Sequence, residues 1–349
     1  MFLLFFLFLL KSSYGYQDAY KNYSVTTGQE HAVLVIGYNR PNYLSECIKS
    51  LERSQETNTI CFIFALDGGP EATQEENSEL IKQALFKNKI IMLRKHNYGC
   101  PKNHIDAQRF AFDWCKFKKV IILQEDMRVT SGFVPFMFNF HNWAAKNYTN
   151  IGAVEASSFS FLSAEDKKNN NNLVAEDDAW WLFRSYCIDS FAWDTIKPIL
   201  YTYESLLDKI PLTDTYSQIR SKPELWEESY RIKEWTDSLL QENKSIAPSS
   251  ISHFISNNYA SWYFRFGLFN EDNIMALAFY LHNLVKLRPL AARALHSGEF
   301  GISSDVSKRE CDRLRGKVNL DEMPGDHMIE NFNLVKDEHY QIFLSLLGE

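Results

Sequence analysis

From residue 32 to residue 129 the chain alternates between unbroken apolar runs and stretches with one apolar face. AVLVIGYNRP (32–41) is an apolar run closed by turn-forming residues, and it predicts a buried strand. Pro41 suits a first helical turn. Leu44, Cys47, Ile48 and Leu51 follow at i, i+3, i+4 and i+7, which is one face of a helix. CFIFALDGG (61–69) predicts a second buried strand, ending in Asp67 and a glycine pair. Residues 78–86 read as helix and KIIMLRKHN (89–97) as a third strand. In NHIDAQRFAFDWC (103–115), Ala107, Phe110, Ala111, Trp114 and Cys115 share one helical face. VIILQEDMRV (120–129) is the fourth strand.

Strands alternating with helices imply right-handed crossovers and a mostly parallel sheet flanked by helices, an α/β fold. Ligands of such sheets gather at the carboxyl ends of the strands. Arg40, Asp67, Glu125 and Asp126 all stand at such ends. The second half is less regular. IGAVEAS (151–157) predicts a strand, KKNNNN (167–172) a polar loop, and AWWLFR (179–184) an apolar, aromatic segment. Ser221-Lys-Pro-Glu224 has capping-box spacing and opens a helix bearing Trp226, Tyr230, Trp235 and Asp237. ISHFI (251–255) reads as a late strand, and 271–349 as a charged, helical C-terminal extension.

Composition narrows the class. With 349 residues, 45% hydrophobic and 15% aromatic, the chain can bury the core of one large domain or two ordinary ones. A net charge of −7 without a basic block argues against a nucleic-acid partner. The opening MFLLFFLFLL is too short to span a bilayer and suits a signal peptide or short anchor over 1–15, followed by a polar stem over 16–30. Sequons at Asn22, Asn147 and Asn243 fit a secretory route, in the Golgi or ER lumen, with tethering to the membrane through the N-terminal segment. The six cysteines include no C-x-x-C, which disfavours a structural zinc site. In an oxidising lumen they can pair, or they serve as small buried apolar residues.

The chemistry concentrates at the fourth strand. P-loop, dinucleotide, zincin and nucleophile-elbow signatures are missing. Glu125 and Asp126 close an apolar run, where a desolvated charge needs a partner or a metal. Paired carboxylates at a strand end suit Mg²⁺ or Mn²⁺, which neutralise a leaving diphosphate. A solvated strand terminus is the alternative, and the other polar strand ends on the same rim weigh against it.

VLVIGYNRPNYLSECIKSL, FALDGGPEAT and VIILQEDMRV, in this order, resemble a nucleotide-sugar glycosyltransferase of the GT-A fold. More narrowly, the chain resembles the N-acetylglucosaminyltransferase I group, glycosyltransferase family 13. WLFRSYCIDSFAW (181–193) and EWTD (234–237) stand in matching order, and the resemblance covers roughly 31–270. It implies a Rossmann-like GT-A domain over 31–270 that transfers N-acetylglucosamine, with inversion, from a UDP-sugar to a glycan or glycoprotein. It also implies that Arg40 and Asp67 hold uridine, Glu125 contacts ribose, and Asp126 binds Mn²⁺ (or Mg²⁺). Asp237 would be the general base. Gln124 replaces the first acid of the family's triplet, and Thr236 replaces the first Asp of W-D-D. These departures leave two other readings open, a family-2-type transferase of another sugar and an inactive sugar-binding protein.

GT-A enzymes often add a late histidine to the metal, and His253 is that candidate, against a histidine hydrogen-bonded beside a strand. His96 and His104 have similar standing. Asp237 reads equally well as an exposed acid on an amphipathic helix. Glu176-Asp177-Asp178 follows an Asn run and reads as a solvated loop. Trp180, Trp181, Trp226 and Trp235 serve as core, with one or two of them available to stack on sugar faces.

Overall fold

A computed structural model describes residues 20, 23, 28–54, 59–156, 172–176, 183–207, 223–242, 271–297 and 332–334. The apolar runs become strands of a nine-stranded sheet: β1 (His31–Gly37), β2 (Cys61–Leu66) and β4 (Lys119–Gln124) inside it, and β3 (Lys89–Leu93) at its edge. Helices α1 (Pro41–Glu52), α2 (Glu71–Gln83) and α3 (Cys100–Arg109) make the crossovers between them. α3 runs on as a π-helical turn, Phe110–Trp114. β5 (Met127–Val129), α4 (Phe133–Asn147), β6 (Ile151–Glu155), β7 (Leu173–Glu176) and β8 (Ser185–Asp189) follow, then α5 (Ser190–Leu206) and α6 (Pro223–Glu242). The chain closes with α7 (Glu271–Leu281), β9 (Val285–Pro289), β10 (Ala294–His296) and β11 (Asn333–Leu334).

The strand order is β11-β7-β9-β6-β8-β4-β1-β2-β3. β1 pairs parallel with β2 and β4, and β2 with β3. β8 is inserted antiparallel between β4 and β6. β9 runs parallel to β6 and antiparallel to β7. The mainly parallel α/β architecture expected from the alternating pattern is present.

Period-two alternation sends each inner strand's side chains into two cores. Ala32, Leu34 and Ile36 of β1 join Ile63, Ile122 and Tyr186 in one, beneath α3, α5 and α7. Val33 and Val35 join Phe62, Phe64, Ile121 and Leu123 in the other, beneath α1, α2 and α4. The strands therefore read as continuous apolar runs because both faces are covered. Cys47, Cys61 and Cys187 are buried members of these cores, and the five described cysteines are unpaired.

The expected C-terminal helical extension is corrected in part. α7 is a helix, but residues 285–289 form an inner strand of the sheet. Its pattern, VKLRP, hides that position because Lys286 and Arg288 are charged yet buried, at 1% and 6% exposure. Lys286 Nζ stacks over the Phe183 ring at 4.3 Å, and a buried cation with such a partner is tolerated. The expected strand at 251–255 lies outside the described residues, as does most of 179–184. Among the described residues no helix is long and apolar enough to cross a membrane.

Candidate active site

Register sets the rim. Gly37 pairs opposite Leu66, and Ile36 opposite Gln124, so the segments leaving β1, β2 and β4 emerge level with one another. Asp67 N–H donates to Gly37 O at 2.9 Å, and Glu125 N–H donates to Ile36 O at 2.9 Å. After Gln124 the chain turns through Glu125 and Asp126 into β5, which pairs antiparallel with β10. That pairing sets His296 opposite Met127, beside Asp126.

Arg40, Glu125 and Asp126 form one cluster. Arg40 Nε donates to Glu125 Oε1 at 2.5 Å, and its terminal nitrogen lies 3.0 Å from Asp126 Oδ2. The backbone N–H of Tyr38 donates to Glu125 Oε2. Gly37 is required here, since a Cβ at that position would overlap Glu125 Oε2. Asp126 Oδ2 also lies 3.1 Å from His296 Nε2, and Ser297 donates to the Asp126 carbonyl from its N–H (2.7 Å) and its hydroxyl (2.9 Å).

The two adjacent acids are pushed in opposite directions. Burial raises Glu125, and Arg40 and the Tyr38 N–H only partly oppose it. Burial would raise Asp126 too, but the hydrogen bond and charge of His296, with Arg40 and Arg184, outweigh it. They hold that carboxyl well below the usual range. Asp126 is thus the acid held the more firmly as its anion. Its Oδ1 is buried with no hydrogen-bond partner among the described residues. The unpartnered Oδ1 is a hard donor of the kind a Mn²⁺- or Mg²⁺-sized ion accepts, and His296 Nε2, now bonded to Oδ2, would join it on exchanging that hydrogen bond for the ion, so the residues fit the ion that the sequence implied.

Asp67 occupies the neighbouring strand end. Its Oδ1 accepts from the N–H groups of Gly68 (2.9 Å) and Tyr98 (2.7 Å). This pins the loop that enters α3 through Gly99, whose φ of +78° suits glycine. Burial raises the Asp67 carboxyl, and those N–H groups oppose it.

Asp237 is not brought to this cluster. It sits 39% exposed on α6 in an i,i+4 ion pair with Lys233, without a direct contact to Arg40, Glu125 or Asp126 among the described residues. His253 lies outside the described residues. The position beside Asp126 that a late histidine was expected to fill is taken by His296.

Three features escape the sequence reading. His296 is hidden in the three-residue strand β10. Glu271 and Asp272 open α7, buried at 7% and 9% exposure, and Asp272 Oδ1 has no hydrogen-bond partner among the described residues. The available signal was an acid pair two residues before an apolar run, the reverse of the order in which Glu125 and Asp126 follow one. Burial pushes the Asp272 carboxyl up, and the Glu271 charge adds to it against Arg184 and Lys286. Behind the rim, Arg109 bridges Asp106 (3.2 Å) and Glu204 (3.3 Å), a buried network that supports α3 against α5.

No protein-family model matches the chain, and a search of curated proteins returns no match. Solved structures give distant likenesses. One is the mannosyltransferase PcManGT from Pyrobaculum calidifontis in complex with GDP-Man and Mn²⁺. It is 12% identical with a TM-score of 0.36, over 57% of this chain and 59% of that one. Another is S. aureus TarS (1-349), 10% identical with a TM-score of 0.34, over 51% of this chain and 55% of that one. The match thus spans less than two thirds of either protein. At such scores the functional reading rests on the site itself.

Proposed function

We propose that this chain is a metal-dependent glycosyltransferase that takes a sugar from a nucleotide diphosphate sugar. The observation that carries the reading is the Asp126 carboxylate, kept anionic at the carboxyl end of β4 with one buried oxygen unpartnered. Asp126 and His296 would hold Mn²⁺ or Mg²⁺, which when bound supplies positive charge against the leaving diphosphate. Arg40 adds a fixed cation on the same rim. It also locks Glu125, which is assigned to the ribose, while Asp67 and Arg40 are assigned to the uridine. The resemblance alone supports the finer reading: UDP-N-acetylglucosamine as donor, inversion, a glycan or glycoprotein acceptor, and residence in the Golgi or ER lumen.

An inverting transfer needs a carboxylate to take the acceptor's proton. Asp237 is the base that the resemblance implies. Asp272 is a second candidate for its buried Oδ1, unpartnered among the described residues, whereas Asp237 is half-exposed and paired with Lys233. Asp272→Asn should lower kcat by about 10²–10⁴-fold, the usual worth of a general base, and Asp237→Asn by less than tenfold. The reverse order would restore Asp237.

The primary test is thermal stabilisation by UDP. UDP with Mn²⁺ should raise Tm, and Asp126→Asn should abolish the metal-dependent part. Stabilisation that is equal without the ion, or intact in Asp126→Asn, refutes the site. Release of UDP from a panel of UDP-sugars then identifies the donor. Donor binding without turnover on any of them would favour the sugar-binding alternative.

A further inference from the structure

A second cluster of metal-ligating side chains lies between the N-termini of α3 and α7, helices that pack against each other. Cys100 and His104 are four residues apart on α3, so their side chains project from the same face one turn apart. Glu271, the first residue of α7, faces them, and Cys100 Sγ donates to Glu271 Oε1 at 3.1 Å. One ligand atom from each of the three lies within 4.8 Å of the others.

We infer that Cys100, His104 and Glu271 form a binding site for a thiophilic divalent cation of the Zn²⁺ class, separate from the Asp126–His296 site. Thiolate, imidazole and carboxylate together are a donor set that selects Zn²⁺ over Mn²⁺, while the carboxylate-led site at Asp126 suits the harder ion. Three protein ligands leave a fourth tetrahedral position for water. Cys100 is exposed as a residue while its thiol turns inward to Glu271, and His104 and Glu271 are buried.

Electrostatics decides between occupancy and vacancy. Two helix N-termini converge here, and their dipoles disfavour a cation. Against them stand the Glu271 carboxylate, the Asp272 carboxyl beside it and the Asp67 carboxylate, all close enough to act on the Cys100 thiol. Binding would replace the thiol proton now shared with Glu271 by the ion and release it to water, so charge and protons balance. The site would fasten α3 to α7 at the point where Asp272 sits. It stands whether or not the chain transfers sugar.

Co²⁺ is the probe, because a cobalt–thiolate bond absorbs by charge transfer where hard-ligand cobalt does not. The metal-free full chain should bind one equivalent with a charge-transfer band, and Zn²⁺ should bleach that band. Cys100→Ser should remove the band with the far-ultraviolet circular dichroism unchanged, and Asp126→Asn should keep it. His104→Gln should weaken cobalt binding by more than about tenfold, the loss that even an outer-shell partner carries. A wild-type chain without the band overturns the inference, as does a band that survives Cys100→Ser. Because Asp126→Asn is read in the same titration, failure here leaves the UDP and Mn²⁺ result standing on its own.

Discussion

Arg40→Met removes the cation that serves both acids of the β4 turn while keeping most of the side chain's length. Glu125 is 1% exposed and Asp126 6%, so neither can recover its lost partner from bulk water. Breaking a fully buried pair from one side costs about 3–5 kcal/mol, most of it the penalty of an uncompensated charge. Arg40 itself is 31% exposed, so water already screens part of the interaction and the cost falls to about 2–3 kcal/mol. Urea denaturation of the metal-free protein would report this as a lower midpoint at unchanged slope. Glu125→Gln in the Arg40→Met background should recover at least about 1 kcal/mol, because neutralising the stranded acid removes the penalty. Mn²⁺ alone should stabilise Arg40→Met more than the wild type, since it brings to Asp126 the charge the guanidinium had supplied. A variant within about 0.5 kcal/mol of wild type, with no coupling to Glu125, would refute the reasoning.

Gly37→Ala should destabilise by about 1–3 kcal/mol and abolish Mn²⁺-dependent UDP stabilisation, because the new Cβ collides with Glu125 Oε2; wild-type behaviour in both melts would remove Glu125 from its assigned place. His141 is wholly buried, and burial lowers it to about 3, with Lys119 adding in the same direction. The unfolded chain takes up its proton below about pH 6.5 while the folded chain refuses it until about 3, so stability falls as pH drops through that window. The stability of wild type minus that of His141→Leu should shrink by about 2 kcal/mol from pH 7 to pH 5, and a difference independent of pH would contradict it. Asp113 accepts from Trp193 Nε1 (3.0 Å), Lys197 Nζ (3.1 Å) and Tyr201, and these partners outweigh its burial and lower its carboxyl. Asp113→Ala should therefore cost about 1–3 kcal/mol at pH 7, with the deficit fading as pH falls below about 4; calorimetry at both pH values checks it.

What was legible in the sequence was what local pattern encodes. β1, β2 and β4 were legible because both faces are covered, and Arg40, Glu125 and Asp126 because polar residues break apolar runs at the strand ends. What was not legible depends on pairings between distant segments. β8 enters antiparallel between β4 and β6, and nothing in SYCID distinguishes that place from an edge. β9 is masked by two buried cations. His296 reaches Asp126 from 170 residues away through a three-residue strand whose register no local signal fixes. Asp237, in a motif-like neighbourhood, makes an ordinary helical ion pair with Lys233, a contact that the motif does not announce.

The pairing of β5 with β10 also has a consequence for biosynthesis. Val129 leaves the ribosome well before its partner Ala294, some 165 residues later. At about 5–20 residues per second that is a wait of roughly 8–33 s, during which β5 has an open edge and Asp126 has no imidazole beside it. Through the same interval β6 and β7 lack the strand that will separate them. The nascent polypeptide is therefore a natural client for holdase chaperones, and a stop codon anywhere before 294 would yield a half-assembled rim rather than a merely less stable one.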